Sequence, residues 1–250
     1  MAVSIKSARE IELMREAGKR LAHVHQELEA MIAPGISTWE IDAKGEKLIR
    51  DCGCIPNFLH YNGYPASICV SVNDEVVHGI PRKDRYLKEG DIVSLDAGLI
   101  YKGYHSDAAR THAVGKVSTE AQKLMDVTKQ SFFEGIKMAK EGQHLHDISR
   151  AIEEYVTPYG YGIVRDLVGH GIGTALHEDP QIPNYAQKRR GVRLQAGMTL
   201  AIEPMINAGT LQVRFLRDGW TVVTKDGSLS AHYENTILVT DGEPEILTLY

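Results

Sequence analysis

The chain has little of what small secreted scaffolds depend on. Three cysteines, Cys52, Cys54 and Cys69, stand in 250 residues. An odd and sparse count builds no disulfide framework. Without nearby cysteine or histidine partners it builds no structural zinc site either. Free thiols fit a reducing compartment. Long hydrophobic runs are missing, so no segment approaches a membrane span. The N-terminal stretch MAVSIKSAREIELMREAG is charged and lacks an apolar core, which excludes a signal peptide. Positive charge is not in excess: the formal net charge is -5 and no basic arm stands out. General attraction to nucleic acid or anionic lipid is therefore absent. These absences predict a soluble cytoplasmic protein that works neither on a membrane nor on nucleic acid.

What is present predicts a folded α+β unit. Apolar residues make up 43% of the chain, enough for a sizeable core, and charges of both signs are interspersed. Ser7-x-x-Glu10 reads as a capping box opening a helix, with Ile11, Met14, Leu21, Val24, Leu28 and Met31 on one side. Pro34-Gly35 is the expected stop. Ser37-x-x-Glu40 opens a second helix running to about Gly53. Strands are expected over 67–72, 92–101 and 104–114. A third helix starts near Thr119 and stops near Gly142, and a fourth covers 145–156. Strands return over 198–206, 220–224 and 231–239.

This order, two helices and strands, then two helices and strands, suggests an internal repeat. Met138-Ala-Lys-Glu-Gly142 lies 107 residues after Met31-Ile-Ala-Pro-Gly35, and Leu194-Gln-Ala-Gly197 lies 107 after Leu87-Lys-Glu-Gly90. The same offset puts Glu203 on Asp96. Either match alone is cheap; a shared offset that brings acid onto acid is not. Between these anchors the register slips, and His170 in LVGHGIG matches His78 in VVHGIP at a shorter spacing. The expectation is one domain, 1–250, of two pseudo-symmetric halves, roughly 1–115 and 116–250. Their strands form a curved, mainly antiparallel sheet with helices packed on one face.

The acids sit where a sheet should be apolar. Asp96 lies in IVSLDAGLIY and Asp107 in YHSDAARTHAV, joined by Lys102-Gly103, a two-residue hairpin turn. Pairing Tyr101 with Tyr104 sets Asp96 opposite Ala109 and Asp107 one diagonal step away on the same face, within reach of a shared ion. Glu203 in GMTLAIEPMI and Glu234 in LSAHYENTILV are also embedded in apolar strand sequence. One such acid reads as a solvent-facing residue. Four of them, with no lysine and a single arginine, Arg110, in the quoted strand runs, read as a metal site, because buried carboxylates need a partner. Gly169-His170-Gly171-Ile172-Gly173 is no phosphate loop, since no Gly-Lys-[Ser/Thr] follows. It adds an imidazole in a backbone that allows close approach. Four carboxylates and an imidazole suit Mn, Fe, Co or Zn, and the surplus of acids suits two divalent ions, an arrangement built for hydrolysis.

The motifs HGIP, GDIVSLDAG, HSDAARTHAVG, GHGIGTALHEDP, TLAIEPM and WTVVTKDGSLSAHYENTILVT, in this order, resemble those of bacterial-type (type I) methionine aminopeptidases of the pita-bread metallopeptidase fold. The likeness spans nearly the whole chain. It implies metal ligation by Asp96, Asp107, His170, Glu203 and Glu234. It implies two non-ligand histidines, His78 and His177, and a methionine side-chain pocket of Tyr61, Tyr64, Cys69 and Trp220 with Phe58 and Leu176. The last two depart from the commonest pattern, Cys and Phe, which changes the pocket's shape but not its apolar character. The zinc-binding N-terminal extension of eukaryotic members, the type II insertion and the extra domain of prolidases are not seen, and Cys52-Gly-Cys54 is no remnant of such an extension.

The implied activity is hydrolysis of the first peptide bond of nascent polypeptides that start with methionine, with a small second residue; Met1-Ala2 is itself such a start. Glu203 would shuttle the proton, His177 would stabilise the developing oxyanion, and His78 would contact the scissile amide nitrogen or the next residue's backbone. The protein is expected to be a monomer, and its slight acidity gives no support for docking on the ribosome. Two rivals are a proline-specific metallopeptidase of the same fold and a non-catalytic binding member. The compact length and the HGIP/GHGIG pattern speak against the first, and the complete ligand set speaks against the second.

Overall fold

The computed structural model describes residues 3–249. Met1-Ala2, read above as a substrate-like start, lies outside the described residues. Among the described residues four α-helices form: α1 (Ala8–Glu29), α2 (Thr38–Asp51), α3 (Thr119–Ile136) and α4 (Leu145–Val156). Both expected capping boxes close reciprocally, Ser7 with Glu10 and Ser37 with Glu40, each satisfying two backbone donors that the helix cannot. Ser118 caps α3. The α1 face that buries Met14, Ala17, Leu21, Val24 and Leu28 packs on the Ile92–Tyr101 and Tyr104–Ala113 strands. In the second half, Leu124, Phe132, Ile148 and Ile152 of α3 and α4 share a core with Leu200, Ile202 and Ile237.

α1 and α3 stop short of the glycines expected to end them. Gly35 and Gly142 instead shape the turns that follow, with φ of 92° and 86°, values at which a Cβ is strained. Their hydrogen bonds repeat. The Gly35 N–H donates to Leu87 O at 2.7 Å, and the Gly142 N–H to Leu194 O at 2.9 Å. The Leu87 N–H donates to Ile36 O and the Leu194 N–H to Gln143 O, both at 2.8 Å. Bridges join Ser37 to Tyr86 and His144 to Arg193. In each case the second member lies 107 residues after the first, the offset seen in the sequence.

The main sheet has nine strands. Its path runs from Ile55–Pro56 through Ile92–Tyr101, Tyr104–Ala113, Glu234–Leu238, Thr199–Ile202 and Gly169–Gly171 to Glu178–Ile182, with every pairing antiparallel. The class is the α+β expected. Lys102 and Gly103 both adopt positive φ, 49° and 86°, as a two-residue turn matched to strand twist requires. That turn fixes the register: Tyr101 faces Tyr104 and Asp96 faces Ala109.

Two expected strands are each split in two. The 198–206 run breaks at Glu203-Pro204 into Thr199–Ile202, in the main sheet, and Met205–Asn207, in a three-stranded sheet. Pro204 has no N–H for a ladder. The 231–239 run breaks at Tyr233 into Ser230–His232 and Glu234–Leu238, and the Tyr233 N–H donates to Pro204 O at 3.2 Å. The two breaks lie side by side, and each sets a glutamate at a strand end. The 220–224 strand begins only at Val222, because the Trp220 and Thr221 N–H groups are taken by Asp218 Oδ1.

Candidate metal centre

Residues directly opposite each other across strands point to the same face. Cys69 lies opposite Asp96, Asp96 opposite Ala109, and Ala109 opposite Glu234. One row across the sheet therefore carries two acids separated by a methyl group. Asp107 belongs to the next row on the same face. Its N–H donates to Thr236 Oγ1 at 3.0 Å, and Thr236 lies opposite Ala201, which in turn faces His170. The alanines leave the middle of both rows open. Glu203 enters from the strand break beside them.

Distances confirm the convergence. His170 Nε2 stands 3.6 Å from Glu203 Oε1 and 4.0 Å from Asp107 Oδ2. One ligand atom each of Asp107, His170 and Glu234 falls within a mutual 4.8 Å. Asp96, Asp107, His170 and Glu234 are buried, and the Glu203 side chain is 14% exposed. No lysine or arginine forms an ion pair with these four carboxylates among the described residues. Asp96 Oδ1, Asp107 Oδ1 and Glu234 Oε1 are buried with no hydrogen-bond partner. Burial pushes all four carboxyls up. The neighbouring carboxylates push Asp107, Glu203 and Glu234 further. His170 Nδ1 lies 2.8 Å from Gly171 O. A carbonyl only accepts, so Nδ1 carries the proton. Burial first, then His177, pushes the imidazole's pKa down to about 3. The neutral ring aims its Nε2 lone pair at the carboxylates. Orphaned carboxylate oxygens around a neutral imidazole lone pair are a donor set that divalent cations of the hard-to-borderline class satisfy.

All thirteen residues singled out in the sequence line one cavity of about 230 Å³. At its floor lie the acids and His170. Phe58, Tyr64, Cys69 and Leu176 form a buried apolar cluster beside them, with Tyr61 and Trp220 half-buried against it. The Trp220 ring stands edge-on to Tyr64 at 5.2 Å and to His78 at 6.2 Å. His78 has φ of 58°, an uncommon left-handed conformation for a residue with a side chain. Burial first, then His177, lowers its pKa to about 4. His177 packs 4.3 Å from the His170 ring, and its Nδ1 lies 2.8 Å from the Tyr61 hydroxyl. Asn62, Val77, Leu167, Val168 and Met205 also line the cavity and were not singled out. Met205 does carry a signal in the sequence, lying two residues past Glu203 in the same apolar run. The loop residues carry no such mark.

Comparison with known proteins agrees with this geometry. The model of metallopeptidase family M24 matches residues 12–241. A methionine aminopeptidase of Clostridium acetobutylicum is 54% identical over 247 residues, covering 99% of each chain. The crystal structure of methionine aminopeptidase from Thermotoga maritima superposes with a TM-score of 0.97 at 46% identity, covering all of both chains. An Xaa-Pro dipeptidase from Bacillus anthracis matches 98% of this chain at a TM-score of 0.78 and 26% identity, but this chain spans only 61% of it. The chain belongs to metallopeptidase family M24 and, within it, to the methionine aminopeptidases.

Proposed function

We propose that the protein removes the N-terminal methionine from nascent polypeptides in the cytoplasm, as a monomer, with Asp96, Asp107, His170, Glu203 and Glu234 holding two divalent ions of the Mn, Fe, Co or Zn kind. The observation that carries this reading is the meeting of unpartnered carboxylate oxygens and a neutral imidazole beside an apolar, aromatic cavity. Such ions, when bound, supply Lewis-acid polarisation of the scissile carbonyl and a water of lowered pKa.

The chain's own residues do the rest. Phe58, Tyr61, Tyr64, Cys69, Leu176 and Trp220 take up the methionine side chain, whose flexible thioether suits an irregular apolar wall. Glu203, at a strand end and partly open to the cavity, accepts the proton from water and delivers it to the departing amine. His177 donates to the oxygen on which negative charge develops. A Tyr61 hydroxyl donating to Nδ1 leaves the His177 proton on Nε2, the tautomer this role needs. His78, opposite Trp220, holds the scissile amide or the next residue's backbone, and its depressed pKa keeps it neutral at pH 7.

The test is direct. With added Mn or Co the purified protein releases methionine from Met-Ala-Ser and leaves Ala-Pro peptides intact. Preference for Ala-Pro would make it a proline peptidase, and no turnover of either would make it a binding protein.

A further inference from the structure

His232 was given no role by the sequence, yet it touches the acids. It ends the Ser230–His232 strand opposite Met205, and the residue is only 1% exposed. Its Nε2 stands 3.9 Å from Glu234 Oε2 and 4.0 Å from Glu203 Oε2. Neither ring nitrogen has a hydrogen-bond partner. A buried ring nitrogen without a partner is costly, and two on one ring call for an explanation. Behind the ring lies a second cavity of about 360 Å³, walled by His232, Tyr233, Thr111, His112, Gln122 and Lys129. It is polar and large enough for water.

His232 thus stands between two wet or reactive spaces, with carboxylates on one side. Carboxylates accept and do not donate, so a hydrogen bond toward them requires the proton on Nε2. Nδ1 is then left as an acceptor for water from the second cavity. The Nε2 distances exceed a hydrogen bond by about 1 Å, a gap within the reach of small carboxylate rotations. His232 lines the second cavity and not the first, where Asp96, Asp107, His170, Glu203 and Glu234 all lie. That places it behind the ligands.

We propose that His232 is a positioning residue of the metal centre: its Nε2–H, lying between Glu203 and Glu234, fixes how those two carboxylates are turned toward the ions. This rests on the reading of both acids as ligands. Groups that hydrogen-bond to metal ligands are worth about 10–100-fold in metal affinity. The two glutamates come from adjacent strand breaks, so a shared donor is also what sets their spacing.

The experiment is Mn titration of metal-free protein by calorimetry, comparing wild type with His232→Leu and His232→Gln. Leucine removes the donor, and glutamine keeps an N–H donor but not an imidazole. Leucine is expected to weaken Mn binding about 10–100-fold, and glutamine is expected to stay within about threefold of wild type. Leucine binding Mn like wild type overturns the proposal. So does glutamine falling as far as leucine, which would mean the imidazole itself is a ligand. If leucine does not fold, 15N NMR of wild type loaded with Zn decides: a protonated Nε2 on His232 supports the proposal and a bare Nε2 overturns it. His170→Ala, titrated in parallel, separates the two levels. Undiminished Mn affinity in that variant would sink the ligand reading itself.

Discussion

The Tyr61 hydroxyl and His177 Nδ1 are 2.8 Å apart, although the two residues are distant in the chain. That contact orients the one imidazole in the cavity proposed to act as a donor during the reaction. Tyr61→Phe should keep the ring and its apolar contact but lose the orienting bond. A loss of about two- to tenfold in kcat is expected, from a hydrogen bond worth about 0.5–1.5 kcal/mol, with metal content unchanged. Steady-state kinetics beside metal analysis of the same preparation checks it.

His170 and His177 are neighbours, their rings 4.3 Å apart, to which the proposed mechanism gives different roles. His170→Ala should lose both metal and activity. His177→Ala should keep its metal and lose about 10²–10³ in kcat, or roughly 2.7–4 kcal/mol, the cost of one oxyanion donor. The loss should fall on kcat more than KM. If the two variants bind metal equally badly, or His177→Ala turns over like wild type, the division of roles is wrong.

Chelation should abolish activity, and Mn, Fe or Co should restore it. The metal-free protein should also show an unusual pH trend. Burial and mutual repulsion raise the carboxyls of Asp96, Asp107, Glu203 and Glu234 above their unfolded values of about 4. The folded chain then binds more protons than the unfolded one, so its stability falls as pH rises from about 4 toward neutral. Bound metal favours the ionised forms and should cancel the fall. Melting temperatures across that range, with and without Mn, give the answer; parallel curves would contradict it.

Cleavage should be fast for Met-Ala and Met-Gly peptides and poor for Met-Leu or Met-Lys, as the family resemblance implies. Equal kcat/KM for Met-Ala and Met-Lys would contradict this.

The N-terminal arm is pinned beside His177. Lys6 Nζ reaches Glu178 Oε2 at 2.6 Å with side chains 5% and 15% exposed, and the Ser4 hydroxyl donates to the same oxygen at 2.7 Å. Breaking a buried pair from one side is costly. Lys6→Met should therefore destabilise the fold by about 3 kcal/mol, and Lys6→Met with Glu178→Met should recover most of it. Urea unfolding of the two variants provides the measurement; an additive double variant would show that the pair does not act as one.

What could be read in advance follows the range of the interactions involved. The Ser7 and Ser37 caps and the Lys102-Gly103 turn are local, and their residues announce them. From that turn alone the Asp96–Ala109 pairing follows. Pro204 marks the first strand break locally, but the break at Tyr233 carries no such mark, and in both cases the strand leaves one sheet for another, which apolar sequence does not record. The place of His232 is illegible in the sequence for the same reason. In SAHYENT it is one polar residue among several, and only the neighbouring break brings Glu203 beside it.

The seam between the halves has a consequence for how the molecule comes apart. Asp96 and Asp107 share one tight hairpin, a contact local in the chain. His170, Glu203 and Glu234 come from the other half, and the Asp107–Thr236 hydrogen bond closes a span of 129 residues. In the proposed centre an ion gripped from both sides of that seam would act as a removable cross-link. While it is in place, opening one side would require opening the other. After chelation the two sides are expected to exchange their amide hydrogens as separate cooperative units.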